Sequence, residues 1–244
     1  LKKRIGCLHV HHSNIEYMER AFGPYEVELI HFVEPGLIYR VSHDESFTME
    51  AAQAKVKEQI EWIDKCGVDA ILITCTNYIA LLQEMSISTP IIKIDEPFFA
   101  FVCDYPGSQV LVFTNPATVN GTMERLNQFA ASRGKILEID VQVAEGAFSL
   151  IMQGDQDGYN REVSNFILEL IEKGAPMISV GQLSMADAAL QVSGDKNVVI
   201  GNLLDTLVYY IEKELRLDRK SNIFREISTG SLKSGDRKMV NDEN

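Results

Sequence analysis

The sequence predicts an α/β protein of two pseudo-symmetric, Rossmann-like lobes, each a parallel four-stranded sheet with helices on both faces, and a site between the lobes. Three observations predict it. Short apolar runs alternate with amphipathic stretches along most of the chain, the βαβα order of parallel sheets covered on both faces. The strand-like runs fall into two sets of four. Sliding the chain by 108 residues lays EWIDKCGVDAILITCTNYIALLQ (61–83) over ELIEKGAPMISVGQLSMADAALQ (169–191). Glu61/Glu169, Ile63/Ile171, Lys65/Lys173, Ala80/Ala188, Leu82/Leu190 and Gln83/Gln191 are then identical.

The elements follow in order. IGCLHV (5–10), VELIHFV (27–33), AILIT (70–74) and PIIKI (90–94) read as the strands of the first set. They are rich in β-branched residues and bounded by polar or Gly/Pro positions. Helices are expected over 48–66 and 77–85. The second set is QVLVFT (109–114), KILEIDV (135–141), PMISVG (176–181) and NVVIG (197–201), with helices over 116–132, 144–153, 158–174, 184–191 and 202–216. PFFAFVCDY (97–105) is a very apolar helix, suited to the core, to the contact between lobes or to a homodimer surface. Lobe 1 is expected to span 1–95 plus 205–217 and lobe 2 to span 96–204. Residues 218–244 are polar and aperiodic and read as a tail.

Composition narrows the function classes. The chain has 244 residues, 45% of them hydrophobic, and a formal net charge of −12. That field repels nucleic acid and anionic membranes, so neither is expected as a partner. No apolar run approaches the roughly 20 residues of a membrane helix. The run after LKKR is too short for a signal peptide, and the absence of an initiator Met suggests a trimmed start. The four cysteines, Cys7, Cys66, Cys75 and Cys103, form no CxxC pair. Reduced thiols and a cytoplasmic location are the expectation.

Cys75 stands out because the apolar strand AILI runs into Thr74-Cys75-Thr76-Asn77 where a helix begins. A thiol there meets unpaired backbone N–H groups and the positive end of a helix, an environment expected to lower its pKa. Thr74, Thr76 and Asn77 offer capping groups that also suit a carboxylate ligand. Cys7, Cys66 and Cys103 read as packing residues.

TCTN after an apolar strand, with a hydroxyl-bearing turn one lobe later, resembles the Asp/Glu/hydantoin racemase superfamily. VELIHFVEPGLI (27–38), KIDEPFF (93–99), VLVFTNPATVNGTMERL (110–126), AEGAFSLIMQGDQDGYN (144–160) and ISVGQLSMADAA (178–189) are each similar to superfamily segments, in the same order. The second turn is similar to a branch with an AQxSM-type motif and a single cysteine. The resemblance covers about residues 4–216. It implies cofactor-independent chemistry at the carbon alpha to a carboxylate, with one thiol per lobe on opposite faces of that carbon. Cys75 matches the first thiol. The 108-residue offset places its partner at Leu183, which cannot carry a proton. Ser184 is the candidate second acid/base, and Ser13, His11, Thr74, Thr76, Asn77, Thr114, Asn115, Thr118 and Gln182 are candidate substrate-binding residues. Pro116 suits the first helical turn after Asn115.

Without a second thiol, three chemistries stay open for a small-molecule carboxylate: racemisation or epimerisation of an amino acid or related acid, decarboxylation, and cis–trans isomerisation of a small diacid. A non-catalytic small-acid binding protein is the reading outside enzymology. HVHHS (9–13) places His9 and His11 on one face if both lie on a strand, a metal-ligand spacing. All five histidines fall by His43, leaving acidic residues to complete a site, so no metal and no cofactor are expected. GDQDG (154–158) reads as a turn joining helices, and no GxG or GK[ST] phosphate loop occurs.

Overall fold

Two parallel four-stranded sheets with the same strand order form the framework, in a computed structural model that describes residues 2–196 and 198–220. The first part of the chain contributes β1 (Lys3–His9), α1 (Ser13–Phe22), β2 (Val27–Val33), α2 (Gly36–His43), α3 (Met49–Asp64), β3 (Ala70–Ile73), α4 (Thr76–Leu81), β4 (Ile91–Lys93) and α5 (Asp95–Asp104). The second contributes β5 (Gln109–Phe113), α6 (Val119–Ser132), β6 (Ile139–Val143), α7 (Ala147–Met152), α8 (Gln156–Glu172), β7 (Ile178–Val180), α9 (Ala186–Lys196), β8 (Ile200–Asn202) and α10 (Leu203–Glu214). The orders are β2-β1-β3-β4 and β6-β5-β7-β8. The expected α/β architecture of two parallel sheets with helices is therefore present, and the internal repeat is a repeat of topology.

Burial explains the strand sequences. Every residue of β3 and β5 is buried, which is why both read as continuous apolar runs rather than alternating ones. The cores are not divided at the expected lobe boundary. One buried cluster joins β1, β3, α3, α5 and α10 with Leu111, Phe113, Leu126 and Ala130 of the second half. A second cluster holds Val110, Val112, Tyr159, Val163, Ile167, Val180, Met185 and Ile200. Helix α5 supplies Phe98, Phe99, Val102 and Cys103 to the first cluster, so the PFFAFVCDY stretch is core.

Several boundaries differ from the sequence reading. Strand β6 begins at Ile139, not near Lys135. Gly134 adopts φ +65° and the Lys135 N–H returns to the Ala130 carbonyl, so residues 134–135 close helix α6 and the strand starts later. Strand β1 stops at His9 rather than continuing to Val10. Helices α1 and α2 were not anticipated, although Met18 and Phe22 of α1 show the i, i+4 spacing of a buried face. GDQDG is a turn as expected: Gly154 has φ +81°, and Asp155 caps α8 by accepting the Gly158 N–H. Residues 218–220, placed in the tail, pair with 24–26 through Glu26 N–H to Asp218 O and Lys220 N–H to Pro24 O, both 2.8 Å. The rest of that stretch lies outside the described residues.

Candidate active site

Both sheets end in matching turns. Thr74 N–H donates to Leu8 O at 3.0 Å, and Gly181 N–H donates to Val112 O at 2.8 Å. The next residues, Cys75 and Gln182, are both extended (φ −124°, ψ 122° and φ −134°, ψ 141°), and each immediately precedes a helical turn. The hydrogen-bond register therefore matches Cys75 with Gln182. This corrects the sequence offset, which pointed to Leu183: the connection into the second turn is one residue shorter than the 108-residue slide allows. Leu183 corresponds to Thr76 and Ser184 to Asn77. The group opposite the thiol in the repeat is a carboxamide.

Cys75 is half-buried at the head of α4, with the backbone N–H groups of Asn77 and Tyr78 directed at its sulfur. Burial outweighs those amides and raises the thiol pKa above its ordinary value. The sequence expectation of a lowered pKa is thus reversed. Helix α4 has only six residues, and half-burial costs the thiolate more than so short a helix returns. At neutral pH Cys75 is a protonated thiol, suited first to donating a proton.

Gln182 joins the second turn to the end of β5. Its Oε1 accepts from Thr114 N–H at 2.6 Å, Thr114 Oγ1 at 3.0 Å and Asn115 N–H at 3.1 Å. Ser184 Oγ lies 2.8 Å from the hydroxyl of Tyr159, which lies 3.2 Å from Thr114 Oγ1. Thr114, Asn115, Gln182 and Ser184 are thus one network, with Tyr159 as the member that sequence reasoning missed. Its only signal was a tyrosine at the start of α8, inside a stretch singled out for other reasons. Burial raises the Tyr159 phenol pKa, so it too holds its proton.

A cleft of about 470 Å³ lies beside these turns between α4 and α6, and Cys75, Gln182 and Ser184 are not in its lining. Thr76, Asn77 and Thr118 line it, together with two cations that sequence reasoning did not include, Lys93 and Arg125. Lys93 pairs with Glu96 at 2.9 Å, and Arg125 with buried Asp95. Asn115 and Thr118 also cap locally: Asn115 Oδ1 accepts from Ala117 N–H, and Thr118 Oγ1 donates to Asn115 O.

Three predicted binding residues sit elsewhere. His11, on the turn before α1, and Ser13, the first residue of α1, are exposed and bond each other, His11 Nδ1 to Ser13 Oγ at 2.7 Å. Because β1 ends at His9, His9 and His11 do not share a strand face. Thr74 is buried with its hydroxyl turned into the fold, donating to Leu8 O at 3.2 Å and accepting from Asn14 Nδ2 at 3.2 Å. The histidine that reaches this turn is His9, whose Nδ1 is 2.8 Å from Thr74 Oγ1.

Neither a protein-family model nor a curated protein matches the chain. Solved structures do. Aspartate racemase from Picrophilus torridus superposes with a TM-score of 0.65 at 11% identity, over 89% of this chain and 96% of the other. Allantoin racemase from Klebsiella pneumoniae gives 0.60 at 19% identity, over 99% and 97%. The chain has the racemase fold. A glutamate racemase from Bacillus anthracis, at a TM-score of 0.61 and 14% identity over 88% and 82%, agrees. The resemblance to the Asp/Glu/hydantoin racemase superfamily thus holds for the fold over nearly the whole chain. Among the described residues no helix is long and apolar enough to cross a membrane.

Proposed function

We propose that this protein is a cofactor-independent racemase- or epimerase-like enzyme acting at the carbon alpha to a carboxylate of an amino acid or related small acid. The observation that carries the reading is Cys75, placed at the carboxyl end of β3 and the head of α4, where backbone N–H groups meet its sulfur. The racemase fold and the duplicated turn at Gln182 support it. The thiolate fraction of Cys75 takes the proton from one face of the alpha carbon while the Ser184 hydroxyl gives one to the other face, and the thiol formed passes its proton back to Ser184 through solvent. The developing enolate needs fixed hydrogen-bond donors, and the candidates are Thr76, Asn77 and the side-chain N–H of Gln182. On the opposite face the proton carrier is Ser184, whose hydroxyl is coupled to the Tyr159 phenol.

A second reading draws on one specific observation. A thiol kept protonated by burial, with a carboxamide at the matching position, suits one-sided delivery of a proton. The enediolate left by decarboxylating a substituted malonate needs one such proton donor and no second thiol.

The test is deuterium incorporation at the alpha carbon in heavy water, followed by mass spectrometry. The panel comprises acidic and neutral amino acids, hydantoins and substituted malonates, with wild type and Cys75→Ala. Exchange or inversion lost in Cys75→Ala supports the first reading, and decarboxylation with single-handed product supports the second. No turnover of any member would make the protein a small-acid binder.

A further inference from the structure

Behind the Cys75 turn, three metal-ligating side chains converge on one face of the first sheet. Cys7 and His9 alternate along β1 and so point the same way, and the strand register sets Cys7 beside His31 of β2. The Cys7 sulfur and one nitrogen from each histidine lie within 4.8 Å of one another. His9 Nε2 is 2.9 Å from His31 Nδ1. The far nitrogen of each ring is held as well: His9 Nδ1 by Thr74 Oγ1 at 2.8 Å, and His31 Nε2 by the Glu19 carboxylate at 3.0 Å.

We propose that Cys7, His9 and His31 bind a divalent transition metal ion, with zinc the best fit, while Thr74 and Glu19 orient the two rings.

Counting protons supports the assignment. Thr74 Oγ1 gives its one proton to Leu8 O and so accepts from His9 Nδ1–H, which leaves a lone pair on His9 Nε2. An ionised Glu19 only accepts, so His31 carries its proton on Nε2. The lone pairs of His9 Nε2 and His31 Nδ1 then face each other across 2.9 Å, where a cation would bridge them. A metal ion there leaves the Thr74 and Glu19 bonds to the two rings intact, while Cys7 gives up its bond to Ile5 O. A carboxylate or hydroxyl behind each ligating histidine is the usual orienting partner in metal sites.

The chemistry of the donors selects the ion. One sulfur and two imidazoles suit Zn²⁺ and disfavour Mg²⁺ and Ca²⁺, which take oxygen ligands. Burial raises the Cys7 thiol pKa, so binding releases its proton. Tetrahedral zinc, with bonds of about 2.0–2.1 Å to nitrogen and about 2.3 Å to sulfur, draws the sulfur inward by roughly 1 Å. Three protein ligands leave a fourth position for water or a small ligand. A bound ion would also fix Thr74, the residue before Cys75.

Cobalt(II) serves as the spectroscopic stand-in for zinc, titrated into the full chain after chelator treatment. One equivalent is expected to give visible d–d bands with a near-ultraviolet thiolate-to-cobalt charge-transfer band. Cys7→Ser should abolish the charge-transfer band and Cys75→Ser should keep it. Glu19→Gln, at an exposed carboxylate, should leave the fold intact and weaken binding by about 10–100-fold. Should Cys7→Ser fail to fold, His31→Gln with a normal circular dichroism spectrum must lose the cobalt site. No bands in wild type, a charge-transfer band that survives Cys7→Ser, a cobalt site that survives His31→Gln, or bands lost with Cys75→Ser would each overturn the proposal.

Discussion

Replacing Gln182 with alanine removes one carbonyl oxygen shared by three donors, Thr114 N–H, Thr114 Oγ1 and Asn115 N–H. A typical hydrogen bond contributes about 1 kcal/mol net, so the three together set an upper limit of about 3 kcal/mol. Gln182 is only half-buried, and water entering the vacated space recovers part of that. The expected loss is about 1–2 kcal/mol. For a folded unit of this size each kcal/mol lowers the melting temperature by about 2–4 °C, giving a drop of roughly 2–8 °C. Gln182→Glu supplies a carboxylate oxygen to the same donors, and charge-assisted bonds are stronger than neutral ones. That variant should melt at or above wild type at pH 7. It should also lose turnover, because a carboxylate at this turn repels the substrate's own carboxylate. Thermal melts followed by circular dichroism, with the heavy-water assay alongside, measure both effects. An alanine variant melting with wild type, or a glutamate variant melting below alanine, would show that this oxygen does not tie the second turn to β5.

Three further outcomes follow from the geometry. In a Cys66→Ser background, alkylation of Cys75 by iodoacetamide should rise with pH through a midpoint above that of a free thiol, because burial disfavours the thiolate; a midpoint below it would contradict the burial argument. His9 has its pKa lowered to about 4 by burial and by His31, so between that value and its ordinary 6.5 the unfolded chain binds more protons. The stability His9 contributes is complete above pH 6.5 and is lost as pH falls through about 4, by at most about 3 kcal/mol; urea midpoints measured with chelator should show this loss in wild type and less of it in His9→Gln. Arg125→Ala strands the Asp95 carboxylate, whose side chain is 2% exposed and whose Oδ1 already lacks a partner. A loss of about 3–5 kcal/mol in urea unfolding is expected, most of it restored by adding Asp95→Asn; equal midpoints for the single and double variants would refute the charge-burial explanation.

The fold was legible because strands β3 and β5 are buried on two faces and cannot disguise themselves as alternating polar runs. AILI and QVLVF are fully buried and were found nearly to the residue. Strand β6, only half-buried, carries the weaker signal of IDVQV and was misplaced by several residues. Cys75 was legible because a short polar cluster interrupts an apolar pattern at a strand end. Its counterpart was not, because a one-residue difference in a connection is invisible to a gapless slide, whereas the backbone hydrogen bonds of Thr74 and Gly181 fix it. Tyr159 was out of reach for a related reason: it lies on α8, far along the chain from the Thr114 and Ser184 hydroxyls it joins.

The amino-acid sequence by itself determined the alternation of strands and helices, the duplication, the acidic surface and the one thiol at a strand–helix turn. These depend on local periodicity and composition, which the chain carries wherever it folds. Tertiary structure decided the rest. It turned the Thr74 hydroxyl inward, paired His9 with His31 instead of His11, and set Gln182 opposite the thiol in the repeat. It also reversed the expected direction of the Cys75 pKa. Each of these follows from strand register and burial, and both are properties of neighbours that meet only once the sheets have formed.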